Sequence, residues 1–170
     1  MPRYVALLRA VNVGGTGALP MAKLKSMCLD AGFTQVETYI ASGNVVFDSK
    51  AGEKRVKVEL ESRLHAHAKK PVGVVVRTAA EMAAVLNANP FRGTEPKYIY
   101  TVFLDAPPPR DALDHAVGVD GEDMALGKRE IYIHYRKGMG RSRLRIPAAK
   151  NGTARNMNTV ARLAELAAKR

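Results

Sequence analysis

Tyr4-Val-Ala-Leu-Leu-Arg-Ala-Val-Asn-Val-Gly-Gly-Thr-Gly17 decides how this chain folds. Residues 4–10 form a short apolar run rich in strand-forming side chains, and polar, glycine-bearing sequence follows at once. The run is apolar at successive positions rather than alternating. That pattern predicts a central strand covered on both faces.

Working outward, Pro20 suits the first turn of a helix. Met21, Leu24, Met27, Cys28 and Ala31 then recur at helical spacing until Gly32 ends the pattern in C-cap fashion. Residues 36–41 and 45–47 read as two strands joined by the tight connection Ser42-Gly43-Asn44. Residues 54–69 read as an amphipathic helix with Val56, Leu60 and Leu64 on one stripe, and residues 72–76 as a fourth strand. The order β-α-β-β-α-β is the ferredoxin-like split βαβ unit. Its two helices cover only one face of the sheet, so the second half of the chain or a partner copy is expected over the other.

The second half opens with a predicted helix over residues 79–86, capped by Thr78 and broken at Asn87-Ala-Asn-Pro90. Residues 98–104 read as a strong strand, followed by the turn Pro107-Pro-Pro109 and an acidic, loop-rich stretch to Asp123. Residues 124–126 and 130–135 predict a hairpin about Gly127-Lys128. A basic loop leads to a final helix expected from Thr153, with Thr153 as its N-cap. The expected fold class is α+β: a ferredoxin-like subdomain over residues 1–77, and a second α+β subdomain over 78–170 packed on it and ending in a C-terminal helix.

Composition sets wider bounds. The 170 residues suffice for one substantial core or two small ones, and an apolar content of 46 % is that of an ordinary folded protein. One cysteine, Cys28, excludes an internal disulfide framework; its place among apolar helical residues predicts a buried, inert thiol. No run approaches the roughly 20 apolar residues of a membrane span, and the opening residues lack a signal-peptide pattern. The expectation is a soluble cytoplasmic protein.

The net charge of +11 is unevenly spread. Residues 1–77 hold 12 basic and 6 acidic side chains, 78–126 hold 3 and 8, and 127–170 hold 12 and 2. The C-terminal excess invites an anionic partner, nucleic acid or a phosphorylated small molecule. A solvated cationic surface is the plainer alternative.

Three sets of residues are candidates for a site. In the ferredoxin-like topology the loop after strand one, the Ser42–Asn44 connection and the turn holding Lys70 all reach one end of the sheet. Backbone N–H groups freed by Gly14, Gly15 and Gly17 can cradle an anion there, with Arg9 or Lys70 as countercharge and Asn12, Ser42, Gly43 and Asn44 alongside. The same glycines also serve simply to permit the turns, with Asn12 and Asn44 tying the loops together. The second set is Gly138-Met-Gly-Arg-Ser-Arg-Leu-Arg145, in which Arg141, Arg143 and Arg145 point one way if the segment is extended. The third is Asn151-Gly-Thr-Ala-Arg-Asn-Met-Asn-Thr159, where Arg155, Asn156 and Asn158 exceed what capping requires and suit a polar contact to a ligand or to the first subdomain.

Several chemistries have no sequence support. The glycine loop matches neither a P-loop nor the dinucleotide fingerprint, so no cofactor is expected. His65 and His67 are two apart on a helix and face different ways, unsuited to a shared metal. No nucleophile-elbow sequence marks a catalytic triad, and no catalytic residue is assigned. Nothing in the sequence fixes an oligomeric state.

The segments Tyr4–Gly15, Tyr39-Ile-Ala-Ser-Gly-Asn-Val-Val-Phe47, Asn89-Pro-Phe91 and Gly152-Thr-Ala-Arg-Asn-Met-Asn-Thr159 occur in this order. Together they resemble the bacterial family catalogued as domain of unknown function 1697, over nearly the whole chain. The resemblance implies two α+β subdomains, the first similar to ferredoxin-like folds, and no established activity. Two departures from the family's usual pattern are Ala10-Val11 in place of Gly-Ile and Met157 in place of a tryptophan, the latter removing an aromatic surface. The functional expectation is a binding module for an anionic ligand. The alternatives are an enzyme acting on a small phosphorylated or carboxylated substrate near Asn12, Ser42, Asn44 and Arg155, and an interaction protein that uses these groups structurally.

Overall fold

A computed structural model describes residues 1–9, 19–39 and 43–169. Its elements are β1 (Arg3–Leu8), α1 (Met21–Asp30), β2 (Thr34–Tyr39), β3 (Asn44–Asp48), α2 (Glu53–Ala68), β4 (Val74–Thr78), α3 (Ala79–Asn87), β5 (Ile99–Phe103), β6 (Asp123–Leu126), β7 (Glu130–His134), β8 (Thr153–Asn156) and α4 (Met157–Ala168). The fold class is α+β, with two antiparallel four-stranded sheets. The chain divides into two compact units, one of residues 1–83 with 163–170, the other of residues 84–162.

In the first unit the strand order is β2-β3-β1-β4, the ferredoxin-like arrangement that the element order predicts. The helices α1 and α2 place Leu24, Met27, Cys28, Val56, Leu60 and Leu64 in one core with Tyr4, Ala6 and Leu8 of β1. The alternate residues Val5 and Leu7 are fully buried on the opposite face, as the unbroken apolar pattern of β1 requires. The C-terminal helix reaches that face: Arg3 Nε donates to the Leu166 carbonyl at 3.3 Å. Arg3 is itself buried and paired with Asp48 at 3.2 Å and Glu37 at 3.4 Å. Its Nη1 also donates to the carbonyl of Gln35, the residue with φ +49° at an irregularity in the β2–β3 register.

Local signals act where the sequence places them. Helix α1 ends in a Schellman motif: Gly32, at φ +89°, donates to Leu29 O while the Phe33 N–H donates to Cys28 O, both at 3.0 Å. Thr78 and Glu81 form a reciprocal capping box at the start of α3, with contacts of 2.8 and 3.1 Å.

The second unit carries the order β6-β7-β5-β8. One face of its sheet builds a core from Val102, Leu104, Ile131, Ile133 and Ile146, backed by Leu113 and Leu144 from the long connections. On the other face the Tyr132 hydroxyl donates to Val85 O of α3 at 2.8 Å. One expectation is corrected here. Thr153 does not cap the last helix; residues 153–156 form the edge strand β8 paired with β5, and the cap is Asn156, whose Oδ1 accepts the Thr159 N–H at 3.0 Å.

Candidate functional site

The end of the first sheet is described in part. Pairing of Leu7 with Asn44 and of Leu8 with Val74 brings the β2–β3 connection and the entry to β4 to the end of β1. There Leu8 N–H donates to Gly43 O and Arg9 N–H donates to Gly73 O, each at 2.9 Å. The Arg9 side chain lies over Gly73, where an added Cβ would come within 2.9 Å of Arg9 Cδ. Asn44 is fully buried and its Nδ2 donates to Tyr39 O at 2.9 Å, which closes the hairpin. Lys70 is exposed just beyond α2, after the left-handed cap Lys69. Asn12, Gly14, Gly15, Gly17 and Ser42 lie outside the described residues.

The third candidate set is held by its own strand. Arg155 is buried, and its Nη1 donates to Thr153 Oγ1 at 2.6 Å and Ala154 O at 2.9 Å. Burial alone pushes its pKa down to about 10. Asn156 is occupied as the helix cap, and Asn158 is exposed on the first turn of α4.

The basic loop is where the second unit concentrates free charge, and the acidic stretch before β6 organises it. Arg136 Nε pairs with Asp123 at 2.7 Å, and Lys137 with Asp120 at 3.2 Å. Ser142 Oγ donates to Glu122 at 2.7 Å, and Glu122 also accepts the Asp120 N–H at 2.6 Å. These bonds, the Ser142 contact first, hold the Glu122 carboxyl below its ordinary pKa; the Arg136 hydrogen bond does the same for Asp123. Exposed pairs of this kind add little stability. Their effect is to neutralise the first two cations of the loop and leave the later ones unmatched.

Beyond Ser142 the loop runs extended. Val117 and Arg145 exchange both backbone hydrogen bonds at 2.9 Å, an isolated antiparallel bridge. Leu144 and Ile146 turn into the core, whereas Arg141, Arg143 and Arg145 are exposed. Among the described residues none of these three arginines has a carboxylate partner. A groove of about 500 Å³ runs beside the first two, bordered by Val119, Glu122, Lys137, Arg141 and Arg143. Gly118 sits at φ +71° with its Cα against the Arg143 backbone carbonyl, a place no side chain can occupy.

Val117 and Val119 were only weakly legible in the sequence as neighbours of the Arg141, Arg143 and Arg145 set. Their one signal was the opposite charge of the stretch before β6 and the loop after β7. Among the described residues no three His, Cys, Asp or Glu side chains gather as metal ligands, and no helix is long and apolar enough to cross a membrane.

Comparison with known proteins follows the fold rather than an activity. No curated protein matches the sequence. The chain is similar in structure to the conserved bacterial protein SP0830 from Streptococcus pneumoniae, with a TM-score of 0.80 and 23 % identity over 99 % of each chain. At that identity the likeness establishes the fold alone. The family described as "Protein of unknown function (DUF1697)" matches residues 1–132, and the chain belongs to that family.

Proposed function

We propose that this protein is a binding module for an anionic ligand, nucleic acid or a phosphorylated small molecule, and that the ligand is held by Arg141, Arg143 and Arg145. The observation that carries this reading is the sorting of charge along one loop. Arg136 and Lys137 are spent on Asp123 and Asp120, whereas the next three arginines face solvent from a segment pinned by its own backbone bonds. Arginine forks suit phosphate oxygens, and a pre-ordered row loses less entropy on binding than a free tail. The other candidates serve less well: the buried Asn44 amide at the end of the first sheet is already bonded to Tyr39, and Arg155 in β8 to Thr153 and Ala154.

The experiment is calorimetric titration of pyrophosphate and of a mixed-sequence oligonucleotide at low salt. The wild type is expected to bind one or both, and the triple variant R141A/R143A/R145A to bind neither at the same concentrations while keeping its circular dichroism spectrum. Equal binding by both proteins would place the ligand elsewhere, and no binding by the wild type would end the reading.

A further inference from the structure

Three features of the arginine row narrow the class of ligand beyond "anionic". The first is its shape. Arg143 and Arg145, two apart in extended chain, lie about 6.6 Å apart, and Arg141 precedes them in the turn closed by the Ser142 N–H and the Met139 carbonyl. Arg141 and Arg143 border one groove and Arg143 and Arg145 an adjoining one, so the three are not gathered in a single pocket. A line of separate cations matches an anion whose charges repeat along a chain.

The second feature is what lies beside the charges. Val117 (57 % exposed), Val119 (49 %) and Met139 (45 %) are the large apolar side chains most exposed in this unit, and all belong to the segments that form the row. Val117 is the cross-strand partner of Arg145, so cation and apolar side chain stand together on one face. A duplex hides its base faces and leaves such side chains only the groove edges. A single strand exposes them.

The third feature is rigidity. The Val117–Arg145 bridge, the Ser142 N–H to Met139 O turn at 3.0 Å and the Leu144 N–H to Ser142 Oγ bond at 3.2 Å fix the backbone that carries the row. The carboxylates near it are already engaged: Asp120 by Lys137, and Glu122 by Ser142 and the Asp120 N–H.

Resting on the anion-binding reading above, we infer that the ligand is a single-stranded nucleic acid, its phosphates on Arg141, Arg143 and Arg145 and its bases against Val117, Val119 and Met139. The base contacts are aliphatic rather than aromatic, so stacking adds little. Affinity is modest, tolerant of sequence and steeply dependent on salt.

Fluorescence anisotropy tests this with labelled oligouridylates of two and eight nucleotides, an eight-base-pair duplex, and unlabelled pyrophosphate and an acidic peptide as competitors. The expected result is binding of the eight-mer well above that of the two-mer and of the duplex. The log–log salt slope should be about −2, the value for three phosphates neutralised on a single strand, and should flatten by about 0.7 in R143A. The variant R141K/R143K/R145K, which keeps the charges, should keep most of that slope. V117S/V119S should weaken the eight-mer several-fold and leave pyrophosphate competition unchanged. Equal affinity for the duplex, no dependence on length, or stronger competition by the acidic peptide would overturn the single-strand inference and leave anion binding standing. No interaction with any probe at low salt would overturn both.

Discussion

Gly118 and the backbone carbonyl of Arg143 meet so closely that a methyl group on Gly118 would collide with it, and Gly118 also needs a positive φ of +71°. This contact joins the acidic stretch to the basic loop and, with the Val117–Arg145 bridge, sets the register of the arginine row. Gly118→Ala combines left-handed strain with a steric clash that backbone must absorb. It should cost on the order of 2 kcal/mol or more of stability, read from urea denaturation, and weaken anion binding because the row shifts. A variant as stable as wild type would show that this contact is not a constraint.

Glu61 and Lys57, one turn apart on α2 and 2.8 Å from each other, hold both backbone groups of Val74 at the start of β4. Glu61 accepts the Val74 N–H at 3.0 Å, and Lys57 Nζ donates to the Val74 carbonyl. Two side chains thus take the place of a neighbouring strand. Glu61→Ala leaves the N–H without that acceptor and should destabilise by about 1–3 kcal/mol, whereas Glu61→Gln, which retains an acceptor, should cost less. Denaturation midpoints of the two variants check the order; equal losses would contradict it.

Cys28 is fully buried, and burial pushes its thiol up to about 12. At pH 8 the thiolate fraction is then on the order of 10⁻⁴, so a thiol reagent should leave the native protein unlabelled and label it promptly in denaturant. The unfolded thiol releases its proton near pH 8.5 while the folded one keeps it, so this group lowers stability as pH rises above that value. Rapid labelling of the native protein would show that the helix opens.

The architecture was legible where periodicity and punctuation agreed. The Leu24, Met27, Cys28 stripe and the Val56, Leu60, Leu64 stripe both face one core, and Gly32 and Thr78 act as the stop and start they spell. Strand β8 was not legible. Thr153-Ala-Arg-Asn156 is four residues long and polar, and after Asn151-Gly152 it reads as turn and cap. What makes it a strand is tertiary: Gly152 lies so close to Val102, Leu104 and the Phe103 carbonyl that only glycine fits, and it delivers Thr153 opposite Phe103. The site was legible as charge and not as geometry. Composition shows an acidic stretch and a basic loop, but only the fold decides that Asp123 takes Arg136 and Asp120 takes Lys137, while Arg141, Arg143 and Arg145 have no carboxylate partner among the described residues.

Asn156 separates a structural role from a binding role. As the cap of α4 its loss in Asn156→Ala should cost about 1 kcal/mol of stability and leave pyrophosphate affinity unchanged. Calorimetric titration of the folded variant checks this; a loss of affinity without a loss of stability would return Asn156 to the ligand site.

Anions are expected to gather at the arginine row and not at the end of the first sheet. The direct measurement is an amide NMR titration with pyrophosphate at low salt. Shifts that saturate at Gly138, Gly140, Arg141, Ser142, Arg143 and Arg145, with Gly14, Gly15, Gly43 and Gly73 unmoved, are the predicted result. Shifts at those four glycines with the loop unmoved would contradict it.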